Sequence, residues 1–580
     1  MHRFRVWAPG RGAVKLVADG RTLAMSPADQ GWWELSDNDA GAGTRYGFSL
    51  DGGEVRPDPR SASQPDGVLA LSEVVNQAAH SWSDAAWKGM RLDAAVIYEL
   101  HTGTFSPEGT FDGVIEHLPH LVALGVDAIE LMPVAEFSGD RGWGYDGVDL
   151  FAPHHSYGGP AALKRLVDAC HAAGLGVVLD VVYNHLGPVG NFLSEFGPYF
   201  SDTHHTGWGS AINFDGPASE EVRRFVIDNA LMWIREYHLD GLRLDAVHAI
   251  VDHKPLHVLE QLAREVQALG AELHRPTFVI AESDLNDPRF VRSRDAGGYG
   301  LDAAWADDWH HALHAMLTGE RTGYYEDFGS LEMLAKALRQ AWVYDGEWSA
   351  HRKKTRGGKA AGLPAHAFVI AIQNHDQIGN RATGDRLSAS IEEGALKAAA
   401  ALLLTAPFTA LLFQGEEWAA SSPFQYFTDH ADPELGNAVR EGRRREFAAF
   451  GWAPDLVPDP QDPMTFNRSK LLWHELDEPF HSRMLDWYRA LIRLRRHMAV
   501  PKNDSGQEPT VELDAEARRI VYERGGIVVR VNLGDTDWVS PISGGERVLM
   551  TSNPAIRPDA GSLSVPPSSV VILESGVADG

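Results

Sequence analysis

The residues of this chain that could do chemistry stand at the ends of short apolar runs. In Asp240-Gly-Leu-Arg-Leu-Asp245 a guanidinium sits two residues before a carboxylate, and side chains two apart on a strand share a face. Arg243 and Asp245 therefore project together, and the neighbouring cation favours the ionised carboxylate. An ionised carboxylate held in place can be a nucleophile. An isolated pair of this kind is more often a structural ion pair at a strand end, so its company matters. Phe278-Val-Ile-Ala-Glu282 ends in a second carboxylate, residues 367–376 end in His375-Asp376, and residues 176–185 deliver Asp180, Asn184 and His185.

In a barrel of parallel strands all such ends open on one face, where the loops build a site. From about residue 93, apolar runs alternate with amphipathic helical stretches, the pattern of a parallel βα fold. Eight strands can be counted: residues 96–101, 128–133, a third ending at Asp180, a fourth at Asp245, a fifth at Glu282, 303–305, a seventh followed by His375, and 410–415. A helix over residues 113–124 links the first two. Most of these runs are continuously apolar, as strands buried on both faces should be. Two long excursions interrupt the pattern. Residues 137–160, after strand two, are aromatic and Gly-rich and contain Tyr145; residues 307–364, after strand six, contain Trp309-His310-His311, Tyr324-Tyr325 and the basic patch Arg352-Lys-Lys-Thr-Arg356. Adjacent histidines on a helix point in different directions, which argues against a metal there.

The four stretches, in this order, resemble the four signature regions of the α-amylase clan of glycoside hydrolases. The resemblance implies a (β/α)8 TIM barrel. Before it, residues 1–82 read as short alternating runs separated by Gly, Asp and Pro, which predicts a small β-sandwich. Phe4-Arg-Val-Trp-Ala-Pro9 resembles the immunoglobulin-like N-terminal module found in branching, debranching and trehalose-forming members of the clan. Trp32 and Trp33 could stack on sugars, but aromatics in a strand are more often core or interface. Short strands return after about Val500, consistent with a C-terminal antiparallel sandwich. The expected division is 1–85 for the N-terminal module, 90–495 for the barrel and 500–580 for the C-terminal sandwich.

Composition excludes more than it selects. A chain of 580 residues with net charge −28 and pI about 5.3 is repelled by nucleic acid and by anionic membrane surfaces. Cys170 is the single cysteine, so no intrachain disulfide is possible. The start lacks an apolar signal region and no run is long enough to span a bilayer. These features predict a cytoplasmic protein, and the acidic surface suits a monomer.

Breaking a glycosidic bond passes through an oxocarbenium-like transition state, so a site needs a proton donor and a negative group at the anomeric carbon. Asp245 and Glu282 suit this pair. The clan resemblance implies a retaining mechanism with Asp245 as nucleophile, Glu282 as acid then base, and Asp376 as third carboxylate binding sugar hydroxyls. It also implies His185 and His375 on neighbouring hydroxyls, Tyr145 stacking on the ring, Arg243 beside the nucleophile, Asp180 supporting that arginine, and Asn184 serving structure or a calcium. No set of further oxygen ligands accompanies Asn184, so neither a required metal nor a cofactor is expected.

Five stretches resemble one subfamily in particular, the malto-oligosyltrehalose trehalohydrolases: residues 96–105, Arg141-Gly-Trp-Gly-Tyr-Asp-Gly-Val, Arg243-Leu-Asp-Ala-Val-His-Ala-Ile, Asn374-His-Asp-Gln-Ile-Gly-Asn380 and Phe424-Gln-Tyr-Phe-Thr-Asp-His430. This implies hydrolysis of the α-1,4 bond next to the terminal trehalose of a malto-oligosyl trehalose, with a synthase acting upstream to make that substrate. Trp309, Tyr325, Asp429 and His430 become candidates for holding the trehalose leaving group. Two other readings stay open at this point: a glycogen branching enzyme, in which a sugar hydroxyl replaces water, and a barrel that binds glycan without cleaving it.

Overall fold

Eight parallel strands close a barrel in the computed structural model, which describes residues 1–576 except 449–451, 454–455, 499–508, 544 and 560. In chain order the strands are Val96–Leu100, Ala128–Leu131, Gly176–Val181, Gly241–Leu244, Phe278–Ala281, Ala303–Trp305, Phe368–Ala371 and Thr409–Phe413, and the eighth pairs with the first. Every residue of these strands is buried. The sequence therefore had to spell them as unbroken apolar runs. The charged residues inside them are the exceptions, Glu99, Glu130, Asp180 and Arg243, and three of these build the site.

The helix between strands one and two spans Phe111–Leu124. Thr110 caps it by accepting the Gly113 N–H, and Gly125 ends it at φ 95°, a left-handed angle that glycine adopts without penalty. Asp180 lies within strand three rather than at its end. Strand six is only three residues long.

The two expected excursions are present, and a third joins them. After strand two, Ala135–Glu136 pairs with Asp149–Pro153. After strand six come helices Asp307–Thr318 and Leu331–Gln340 and the hairpin Glu347–Ser349/Lys354–Arg356. The third follows strand three and contains the hairpin Phe200–Thr206/Gly209–Ile212. Its polar composition concealed it from a search for apolar runs.

At the N-terminus His2–Trp7 pairs with Trp32–Asp37, and Val14–Ala18 pairs with Arg21–Ala24 and Arg45–Leu50. The two sheets meet through Phe4 and Tyr46, ring centroids 4.9 Å apart, as in a β-sandwich. Trp33 is buried and donates from Nε1 to the Ala8 carbonyl at 3.2 Å, and Trp32 lies under Arg5 at 4.6 Å. Both are packing residues. At the C-terminus five antiparallel strands, led by Thr510–Asp514, face a three-stranded sheet. Tyr522 Oη donates to the Thr405 carbonyl and Arg339 to the Val511 carbonyl, which seats this sandwich on the barrel's flank. The expected junction near Val500 lies outside the described residues. Among the described residues, no helix is long and apolar enough to cross a membrane.

Candidate active site

Asp180 and Arg243 are register partners on strands three and four, so their side chains meet inside the barrel. Arg243 Nη1 lies 2.9 and 2.8 Å from the two Asp180 carboxylate oxygens and 2.8 Å from Asp245 Oδ1. The guanidinium is fully buried and lies over the Trp305 ring at 4.2 Å. Asn184 completes the clamp, donating from Nδ2 to the Asp245 carbonyl at 2.8 Å and to Asp245 Oδ2 at 2.9 Å. Asn184 thus supports Asp245.

Glu282 stands on the next strand end. Its Oε2 accepts the Ala246 N–H at 2.6 Å and lies 3.9 Å from Arg243 Nη2. Ala246 holds the left-handed conformation, φ 41° and ψ 50°, a strained angle for a residue with a Cβ. It places this N–H directly after Asp245, so the turn that follows strand four reaches the Glu282 carboxylate at the end of strand five. Burial pushes the Glu282 carboxyl well above the usual carboxylate range. Arg243 opposes this, and Asp245, Asp307 and Asp376 reinforce it.

After strand seven, Asn374 caps a short helix by accepting the Asp376 and Gln377 N–H groups, with Gln377 closing the box. This fixes His375 inward and leaves the Asp376 carboxylate half exposed in the cleft, 3.6 Å from His375 Nε2. His375 Nδ1 lies 2.5 Å from Glu99 Oε1, and its backbone N–H donates to Glu99 Oε2 at 3.1 Å. Burial works against the imidazolium, yet Glu99 and Asp376 raise its pKa to about 9. With both ring nitrogens protonated, Nε2–H donates to Tyr145 Oη at 2.8 Å, and Tyr145 O–H donates to Asp180 Oδ2 at 2.7 Å. One chain of hydrogen bonds therefore runs from Glu99 to the Asp180–Arg243 pair. It holds Tyr145, whose ring lies 5.3 Å from that of His375.

The loop that carries Tyr145 is fastened at two glycines. A Cβ on Gly144 (φ 97°) would lie 2.1 Å from the Pro133 carbonyl oxygen, and one on Gly139 (φ 82°) would lie 2.1 Å from that of Asp429. Asp429 itself accepts from Arg141 Nη2 at 2.6 Å and from the Asp140 N–H at 2.9 Å. It ties the loop after strand two to the segment after strand eight. His430 sits beside it, its ring 3.9 Å from Asp146.

Trp309 and Tyr325, expected beside the leaving group, are corrected. Both are fully buried. Tyr325 Oη lies 2.8 Å from His310 Nε2 and its ring stacks on His314, while His310 Nδ1 bonds the Ile372 carbonyl. They form the wall behind the cleft and offer a sugar no surface.

The structure adds residues that the sequence reading passed over. Asp307 stands two residues beyond strand six, and burial, then the charges of Asp376, Asp284 and Asp308, raise its pKa to about 7 against the pull of Arg243. The strand-end rule that found Glu282 applies to it equally. Trp208, at the turn of the hairpin after strand three, is half exposed and stacks flat on His185, centroids 4.7 Å apart. Asp284 is held by Arg352 at 2.7 Å and Arg356 at 2.5 Å, which gives the basic patch its role: it pins the loop after Glu282.

A closed barrel with this carboxylate cluster at its C-terminal face defines a glycoside hydrolase of the α-amylase clan. The alpha-amylase catalytic domain model matches residues 80–201, and a domain of unknown function, DUF3459, matches residues 508–572. The malto-oligosyltrehalose trehalohydrolase of Rhizobium sp. M-11 is 50% identical, covering 98% of this chain and 97% of its own. That of Arthrobacter ramosus is 51% identical, covering 99% and 100%. A putative alpha amylase from Salmonella typhimurium, solved by crystallography, is 41% identical and superimposes with TM-score 0.89 over 99% of this chain and 97% of its own. The chain belongs to the malto-oligosyltrehalose trehalohydrolase family.

Proposed function

We propose that this chain cleaves the α-1,4 bond next to the terminal trehalose of a malto-oligosyl trehalose, with retention, releasing trehalose and a malto-oligosaccharide. The observation that carries the mechanism is the unequal treatment of two adjacent carboxylates. Asp245 is gripped by Arg243 and Asn184, which hold its oxygens in place as a nucleophile requires. Glu282 is buried and raised, which favours the proton an acid needs. One carboxylate held in place beside one carboxyl kept protonated assigns the two roles.

In this reading Glu282 protonates the glycosidic oxygen while Asp245 attacks the anomeric carbon. Glu282 then takes a proton from water, which opens the glycosyl ester. Asp376, half exposed in the cleft, binds hydroxyls of the distorted ring, with His185 beside them. Tyr145, held by His375, stacks on that ring. The names of the relatives support trehalose as leaving group, with Asp429 and His430 framing its side of the cleft. We assign residues 1–85, 90–495 and 500–580 to three structural units, acting as a monomer on substrate that an upstream synthase supplies.

The test is to incubate the protein separately with maltohexaose and maltotetraosyl trehalose and to follow trehalose and chain length by chromatography, with Asp245→Ala as control. Trehalose released from the capped substrate by the wild type alone is the expected result. Branched or lengthened products without trehalose would indicate a glucan transferase, and no reaction on either substrate a binding-only barrel.

A further inference from the structure

Outside the cleft, the described residues bring two histidines and a carboxylate together twice: Glu136, His154 and His155, and His204, Asp215 and His253. The first group is committed to the protein. His154 Nδ1 accepts the Ser156 N–H at 3.2 Å, which puts its proton on Nε2, and His155 is bonded to both Glu136 and Asp140.

The second group is different. His253 Nδ1 lies 2.8 Å from Asp215 Oδ2, and His204 Nε2 lies 3.6 Å from the same oxygen. The two imidazoles are 5.2 Å apart and inclined at 39°. Tetrahedral zinc with bonds of about 2.0–2.1 Å separates its ligand atoms by about 3.4 Å, a distance that the observed 2.8 and 3.6 Å bracket. Asp215 also accepts the His253 backbone N–H at 3.0 Å. That contact does not use Nδ1, so it is kept when the Nδ1 proton leaves to water and a cation takes its place, and such outer contacts orient metal ligands. The group is reachable, since the His253 side chain is 72% exposed.

We propose that His204 Nε2, His253 Nδ1 and Asp215 Oδ2, with water, bind a zinc-type divalent cation that clamps the hairpin after strand three to the segment after strand four. His204 lies on the strand Phe200–Thr206, and the turn of that hairpin carries Trp208. The clamp therefore fixes the aromatic ring that lies on His185. The ion is structural and takes no part in bond cleavage.

Isothermal titration of the full chain with zinc chloride, in a buffer without chelators, tests the site. One zinc per chain is expected, with a melting temperature raised by zinc. His204→Ala and His253→Ala should each weaken binding by about tenfold or more and abolish the thermal shift, and the double variant His154→Ala/His155→Ala should bind as the wild type does. Melting in EDTA that equals the wild type's shows that the variants fold. Absence of saturable binding overturns the proposal, as does binding that survives His204→Ala and His253→Ala or disappears in His154→Ala/His155→Ala.

Discussion

Arg243 and Asp245, two residues apart, are joined by a 2.8 Å bond from Nη1 to Oδ1, and the same nitrogen is bound by Asp180. Removing the guanidinium strands the buried Asp180 carboxylate and leaves Asp245 without its cation. Breaking a buried pair by truncating one partner costs about 3–5 kcal/mol. Arg243→Ala is expected to lose that much in denaturant unfolding and to lose activity. Wild-type stability in this variant would refute the clamp.

Glu282 gives a stability prediction of opposite sign. Its folded pKa is raised above the unfolded value of about 4.3, so above that pH the native state holds a proton that the unfolded state has lost. Stability then falls as pH rises. Glu282→Gln is permanently neutral and should be more stable than wild type at pH 7, the gain vanishing below about pH 4, while hydrolysis is lost. Unfolding curves of the two proteins across pH decide it.

His375 has the same sign of pH dependence, but here the charged form is the stabilised one. Its pKa rises from the unfolded value of about 6.5 to about 9. The stabilisation is complete below pH 6.5 and is lost as pH rises through 9, about 3 kcal/mol in all. Glu99→Gln should flatten that dependence. A slope that persists in the variant would mean that Glu99 does not hold the imidazolium.

Asp429 and Arg141 are both partly exposed, so their pair is worth about 0.2–1 kcal/mol in folding. The larger effect is expected on KM for the capped substrate. Asp429→Ala, Arg141→Ala and the double variant should raise KM alike, because each frees the same loop. Additive effects would show two independent contacts.

Trp309→Ala is expected to destabilise by about 3–5 kcal/mol, the cost of emptying a large core site. At temperatures where the variant is folded, KM should stay at the wild-type value. A raised KM with unchanged stability would restore Trp309 as a sugar ligand.

These residues also show what a sequence can carry. Asp245, Glu282 and His375 were legible because strands buried on both faces are short apolar runs, and a charge at the end of such a run stands out. Asp307 did not stand out, because strand six, Ala303–Trp305, is too short to frame it. Trp208 sits in a polar hairpin with no period to read. Trp309 was a candidate through the subfamily resemblance, but on a helix only packing decides which face turns inward, and here it turned to the core. Asp429 was a candidate only through a loop that resembles the subfamily, and its bonds to Arg141 and Asp140 arise between residues 288 and 289 positions apart, beyond any local pattern.

The pairing of Glu99 with His375 spans 276 residues, and strand one, which bears Glu99, also pairs with strand eight. A growing chain exposes this glutamate long before its imidazole is made. Contacts of such separation must repay a large loop-closure entropy and form late. The ring of Tyr145 is locked only when that distant bond closes, so catalytic competence arrives as one of the last events of folding, and a chain cut before strand seven carries both Asp245 and Glu282 without an assembled pocket.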